Sequence, residues 1–164
     1  MKKAASLAVL FLMTVMFAGS AFAGNEGDAQ GNAFYGTNAG ISLNGTGSDN
    51  AFFGYQAGGV TTGGNFNTFI GYRSGYLNTT GNSNTFLGYY AGLYNTTGGN
   101  NTFLGLYAGY SNSVGSGNVF LGYAAGYSET GSNRLYIDNS TTSTPLIYGE
   151  FDNNVLLVNG ELRM

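Results

Sequence analysis

Hydrophobic and polar positions along this chain come in short bursts. Triplets such as Thr68-Phe69-Ile70, Thr85-Phe86-Leu87 and Thr102-Phe103-Leu104 are each led by Asn and closed by Gly. Segments this short, rich in Phe, Tyr, Thr and Val and bounded by Gly and Asn, carry the punctuation of strands and turns and lack helical spacing. The expected class is all-β.

The bursts repeat. A motif N-x-F-x-G-x-x-[AS]-G starts at Asn32, Asn50, Asn67, Asn84, Asn101 and Asn118. Its first Gly falls at 36, 54, 71, 88, 105 and 122, separated by 18 residues once and then by 17 throughout. A second Gly follows four residues later, at 40, 58, 75, 92, 109 and 126, and a third precedes the Asn at 47, 64, 81, 98 and 115. A fixed period of this kind marks a repeat architecture. Coils stacked on one another, with Gly supplying positive backbone angles at the corners, predict a β-roll or β-solenoid of about six 17-residue coils over residues 24–130. At about 4.8 Å per layer, six coils make a prism on the order of 29 Å long. The open alternative makes each repeat a hairpin of a meander or barrel.

Adjacent strand residues point to opposite faces. The ladder Phe52, Phe69, Phe86, Phe103 and Phe120 therefore lies on one face and Ile70, Leu87, Leu104 and Leu121 on the other. One ladder can line the coil's interior. The other is then an apolar stripe in water, which soluble monomers rarely leave open, so a homo-oligomer is expected. A thicker coil burying both ladders is the alternative. Asn67, Asn84, Asn101 and Asn118 recur in register and can hydrogen-bond along the stack. Tyr55, Tyr72, Tyr89 and Tyr123 follow the motif Gly, while Tyr76, Tyr110 and Tyr127 follow the second Gly. Such rows either fill corners or form a surface able to stack on a glycan or another extracellular ligand.

Composition narrows the chemistry. The 164 residues contain no Cys, His or Trp, 29 Gly and only 8% charged side chains. That excludes imidazole-based catalysis, zinc clusters and disulfide frameworks, and no cofactor is expected. Glu129 with Asp138 and Glu150 with Asp152 are the nearest carboxylate pairs, and they read as solvated charges in place of an acid–base couple. Asp152-Asn153-Asn154 clusters oxygen ligands without the pattern of a calcium loop. The expectation is a non-enzymatic protein.

Lys2 and Lys3, an apolar run from Ala4 to Phe17, and Ala21-Phe22-Ala23 read as a secretory signal peptide over residues 1–23, leaving no transmembrane anchor after cleavage. The remaining chain carries three Arg against eight carboxylates, a formal net charge of −5. A nucleic-acid partner is thereby excluded, because phosphate binding needs a basic patch. The expected location is extracellular or at the cell surface, with the periplasm as the other exported compartment.

From Gly131 the motif stops. Residues 131–164, with Asn133 to Asp138, Leu146 to Phe151 and Val155 to Val158 as strands, read as a C-terminal β-hairpin cap. Five of the eight acids lie from Glu129 to Glu161, and charge at an open sheet edge would discourage end-to-end growth.

At Asn84-Thr85-Phe86-Leu87-Gly88-Tyr89-Tyr90-Ala91-Gly92 and its copies, the chain resembles the repeats of bacterial surface and tail-fibre-like proteins, which are similar to the heads of trimeric autotransporter adhesins. The resemblance covers about residues 31–128. It implies a left-handed parallel β-roll, three chains forming one head through apolar faces, and a role in adhesion. The segment Thr144-Pro145-Leu146-Ile147-Tyr148-Gly149 is similar to the one that comes after such repeats in larger fibre proteins. Neither a heptad stalk nor a C-terminal membrane-barrel segment appears in the sequence, so a self-anchored autotransporter is not expected. The functional expectation is a secreted structural or adhesive oligomer, with a trimer favoured. Two other readings are a glycan-binding module using the Tyr and Asn ladders, and an ice-binding solenoid suggested by the row Thr68, Thr85 and Thr102.

Overall fold

The computed structural model describes residues 30–161; the expected signal peptide lies outside them. Among the described residues nine strands form one sheet in sequence order: β1 (Ala33–Tyr35), β2 (Ala51–Phe53), β3 (Thr68–Ile70), β4 (Thr85–Leu87), β5 (Thr102–Leu104), β6 (Val119–Leu121), β7 (Arg134–Ile137), β8 (Ile147–Glu150) and β9 (Val155–Val158). Strands β1 to β7 all run parallel, which excludes the meander and makes each repeat one turn of a β-solenoid. The turns stack in register as well. Leu77 N–H donates to Leu93 O, Thr79 N–H to Thr96 O and Tyr90 N–H to Tyr72 O, so backbone groups outside the strands find partners one coil away.

Alternation within each three-residue strand separates the ladders. Phe52, Phe69, Phe86, Phe103 and Phe120 are fully buried and form the core with the Ala residues of the second half-motif. Their rings stack nearly parallel at 4.7–4.9 Å between centroids. This is the coil spacing, so the stacking is offset, the arrangement that aromatic quadrupoles favour. The column ends at Tyr136, which meets Phe120 edge-on at 81°.

Beside the Phe column runs the Asn ladder. Asn67 Nδ2 donates to Asn50 Oδ1 at 3.1 Å and to Gly81 O at 2.9 Å, and Asn84 N–H donates to Asn67 Oδ1 at 3.0 Å. The same pattern repeats at Asn101 and Asn118, until Arg134 N–H closes the ladder on Asn118 Oδ1. Buried amides are thus satisfied by the neighbouring coils, as burial of polar groups demands. A second buried column, Asn78, Asn95 and Asn112, is served less well. Both side-chain polar atoms of Asn95 lack a partner, as do Oδ1 of Asn78 and of Asn112.

The glycine rows differ in their reasons. Gly88 has φ +147°, and a Cβ there would land on the carbonyl of Gly105 in the next coil. Gly98, in the third row, lacks a positive φ; it is excluded from being larger by the carbonyl of Gly115. Corner conformation therefore explains only part of the glycine pattern, and close coil-to-coil approach explains the rest. Several left-handed corners are in fact held by larger residues, among them Phe66 (φ 59°), Arg73 (φ 50°), Tyr90 (φ 57°) and Tyr107 (φ 60°).

The expected hairpin cap is more than a hairpin. β7 lies parallel to β6 at an offset of 16 residues, Phe120 opposite Tyr136, and so adds a seventh rung. Only then does the chain reverse, with β8 and β9 extending the sheet antiparallel. The cap's charges also sit elsewhere than expected. Arg134 Nη1 reaches Asp152 at 3.4 Å and Glu150 at 3.9 Å near the β8–β9 turn, whereas the edge strand β9 reads Val-Leu-Leu-Val and is exposed at every position.

Candidate functional site

The outer face of the sheet carries the second ladder. Ile70, Leu87 and Leu104 are 39%, 42% and 40% exposed, and Leu121 is half-buried. Register places Tyr35 and Phe53 before them and Ile137, Ile147 and Val158 after them. The apolar stripe therefore runs over nine rungs, crossing from the repeats into the cap. The repeat pattern alone could not show this extension, because the cap changes its offset and then reverses direction. A thick coil covering both ladders is not what forms: the Phe ladder is core, and the aliphatic ladder lies outside.

Next to this stripe lies a terrace of tyrosines. Tyr55, Tyr72 and Tyr89 stack at 5.2 and 4.9 Å with interplanar angles of 12° and 11°. Tyr123 lies in the same row but is parted from Tyr89 by Leu106 on the intervening coil. The rings in the row thus present edges and hydroxyls, while their faces cover one another. Tyr90, Tyr107 and Tyr110 join the terrace from the corner beside it, with Tyr89 and Tyr90 meeting edge-on at 4.3 Å and Tyr110 stacking on Tyr127 at 4.8 Å. The row through Tyr110 and Tyr127 was expected from the second Gly; Tyr90 and Tyr107 were not, and counting Tyr residues at the 17-residue period would have found them.

The terrace has little charge. Arg73 Nε donates to Gln56 Oε1 at 2.6 Å, and its guanidinium lies 5.1 Å over the Tyr76 ring and 5.7 Å over Tyr72, a cation–π pair of rings about one cation. Burial pushes the Tyr110 phenol up to about 12, helped by its hydrogen bond to Tyr94. The hydrogen bond with Tyr90, followed by burial, raises Tyr89. These two phenols therefore hold their protons above the ordinary phenol range.

The carboxylates are held by structural partners. Glu129 accepts from Gly131 N–H at 2.7 Å and from the Tyr136 hydroxyl at 2.8 Å; burial raises the Tyr136 pKa first, and that hydrogen bond raises it further. Asp138 accepts from Ser140 Oγ at 2.5 Å, which lowers its pKa. Tyr148 and Asn153 donate to Glu150 and hold it low in the same way. Glu129 also borders a small cavity of about 140 Å³ lined by Tyr127, Tyr136, Thr141, Thr142 and Ser143. The Thr68, Thr85 and Thr102 row lies in register on the outer face, between Ala51 and Val119. Among the described residues no group of three acidic, His or Cys side chains is placed to hold a metal ion.

No protein-family model, curated protein or solved structure matches this chain. The fold and the surfaces above define a β-solenoid of stacked aromatic and Asn ladders, with an apolar stripe and a tyrosine terrace facing outward.

Proposed function

We propose that this chain is an exported, non-enzymatic structural or adhesive protein that works as a homo-oligomer at or beyond the cell surface. The single observation that carries the reading is the nine-rung apolar stripe on the outer face. Its exposed members have no role in the core. At roughly 25 cal/mol per Å² of apolar surface, covering even a few hundred Å² would contribute several kcal/mol, which is a large share of a domain's net stability. Three copies winding in the manner of adhesin heads, left-handed and with these faces inward, is the assembly we favour, on the resemblance of the repeats.

The experiment is the native mass of the purified protein by light scattering after size exclusion. A trimer that persists on dilution supports the reading, and Leu87→Ser with Leu104→Ser should dissociate it without loss of β-sheet signal. A monomer at every concentration overturns it. Because Phe86 is core, Phe86→Ser is expected to unfold the chain and does not test the interface.

Glycan recognition is the second reading, and one observation favours it. The cavity beside the cap joins an aromatic ring, the Glu129 carboxylate and several hydroxyls, a combination suited to one sugar ring. The stacked Tyr55–Tyr72–Tyr89 row is less suited, since its faces are already occupied. Chemical-shift titration of the protein with a panel of monosaccharides is the check, and flat shifts at Tyr127 and Thr141 would remove this reading.

A further inference from the structure

The last strand of the sheet is an open edge with apolar side chains on both faces. Val155, Leu156, Leu157 and Val158 are 38%, 66%, 50% and 46% exposed. Among the described residues no strand lies beyond β9. Natural sheets blunt such edges with Lys, Pro, bulges or a covering segment, and β9 carries none of those residues.

Two backbone bonds set the hydrogen-bond parity of this edge. Asn159 N–H donates to Leu146 O at 2.9 Å, and Val158 lies opposite Ile147. In an antiparallel pair, bonded and non-bonded residue pairs alternate. Leu157 with Tyr148 and Val155 with Glu150 therefore exchange the β8–β9 bonds. Phe151 N–H donating to Asn133 O on the other side of β8 requires the same phase. Leu156 and Val158 are left with N–H and C=O pointing out of the sheet.

We propose that β9 is an assembly edge, through which two copies of this chain pair antiparallel about a two-fold axis at Leu157. In that register Leu156 faces the partner's Val158, and the partner's Leu156 faces Val158. Both are residues whose backbone groups point outward, so four hydrogen bonds form without disturbing β8. Leu157 meets its own copy as a non-bonded pair. The neighbouring register, with the axis at Leu156, would set Val158 against Asn154, whose φ of 54° takes it out of the strand. Antiparallel pairing also keeps faces together, so the outer ladder of one copy, ending at Val158, continues into the other.

The surface is large enough for a second copy. Leu146 and Phe151, 53% and 51% exposed, flank the four β9 side chains. The six together amount to about three wholly exposed large side chains, on the order of 500 Å² of apolar area. With the strand backbone added, this approaches the ~800 Å² per partner of a stable interface. Val158 belongs to both surfaces, and the β9 pairing is read from its own cross-links, so its failure and that of the trimer are distinguishable.

Cysteine placement tests the register, because the chain has no Cys of its own. Leu157→Cys should give a two-chain disulfide product on mild oxidation, since a non-bonded antiparallel pair has Cα atoms about 4.5 Å apart. Val155→Cys should give none, being four residues out of register with its copy. Adding Leu156→Pro to Leu157→Cys removes an outward N–H and should abolish the product, with the circular dichroism spectrum unchanged. Absence of the Leu157→Cys product, or equal cross-linking at positions 155 and 157, overturns the proposal. So does a wild-type mass that grows without limit on concentration. That outcome would mean head-to-tail pairing of β9 with β1 of the next copy, which runs in the same direction and leads to an open filament. Should Leu156→Pro fail to fold, the contrast between positions 155 and 157 still decides the matter.

Discussion

Two buried asparagines eleven residues apart should differ sharply in their response to alanine. Asn84 Nδ2 donates to Gly98 O at 2.8 Å, and Asn84 Oδ1 accepts from Asn101 N–H at 3.0 Å and Asn101 Nδ2 at 3.1 Å. Truncation to Ala removes these three bonds and strands the N–H of Asn101, which is buried. At about 1 kcal/mol for each bond, with about 1–3 kcal/mol more for the stranded donor, Asn84→Ala should cost about 4–6 kcal/mol. Asn95 is just as buried, yet neither polar atom of its side chain has a partner. Removing it relieves a desolvation cost of ~1–3 kcal/mol. Against this stands a small cavity worth about as much, so Asn95→Ala should fall within about 1 kcal/mol of wild type. Guanidinium denaturation followed by circular dichroism measures both. Equal losses above about 3 kcal/mol for the two variants would refute the reasoning, because they would mean that the Asn95 amide is as well bonded as that of Asn84.

Three further outcomes are expected. Phe66 is 63% exposed and holds φ 59°, a conformation that costs an ordinary residue ~1–2 kcal/mol; Phe66→Gly should therefore raise stability by about 0.5–1 kcal/mol, net of the glycine's own entropy, as read by the denaturation midpoint. Gly88→Ala places a methyl on the Gly105 carbonyl at φ +147° and should abolish the folded state, visible as loss of sheet signal and rapid proteolysis. The pH profile should fall at both ends. Tyr110 binds its proton more tightly folded than unfolded, so its contribution is complete below pH 10 and is lost as pH rises towards about 12. Glu150 and Asp138 are lowered on folding, so theirs is present above the ordinary carboxylate range and is lost as pH falls through the lowered values. Ultraviolet titration of the phenols alongside melting curves reads both limbs, and a Tyr population titrating wholly at its ordinary value would contradict the alkaline one.

The repeat and the columns it sets could be read from spacing, since a 17-residue period holds Phe, the aliphatic residue and Asn each at one phase; that the coils stack parallel took the strand pairing to decide. Which of the two apolar ladders is inside could not be read from spacing either. Phe69 and Ile70 are equally apolar; the choice is made by Gly75 and its copies, which leave room for a Phe ring against their Cα in the interior, 2.6 Å from where a Cβ would stand. The tyrosine terrace was half legible, because Tyr90 and Tyr107 occupy left-handed corners where sequence rules expect Gly or Asn. The cap resisted for a different reason. Its first strand keeps the column with Tyr136 in the place of Phe but shifts the spacing to 16, and its last two strands follow antiparallel pairing, which no repeat count reveals.

A solenoid of identical coils also carries a consequence for its surface. Every column is set by one choice made six times, so an outward position that favours Leu in one coil yields a stripe, whereas in a non-repeating sheet the same residue would be an isolated and unremarked exposure. Core formation does not require this stripe, since the Phe, Ala and Asn columns already fill the interior. Strand propensity does not require it either, because the flanking outward column is Ala, Thr and Val over the same six rungs. Thr in that column shows that a polar β-branched residue is accommodated on the same face. Leu87 and Leu104 could therefore be Thr without loss of the fold, and a Leu87→Thr, Leu104→Thr chain should keep its melting midpoint at high dilution. If its midpoint falls there by as much as a core truncation, by several kcal/mol, the stripe belongs to the folding of the single chain and the case for a partner on this face is lost.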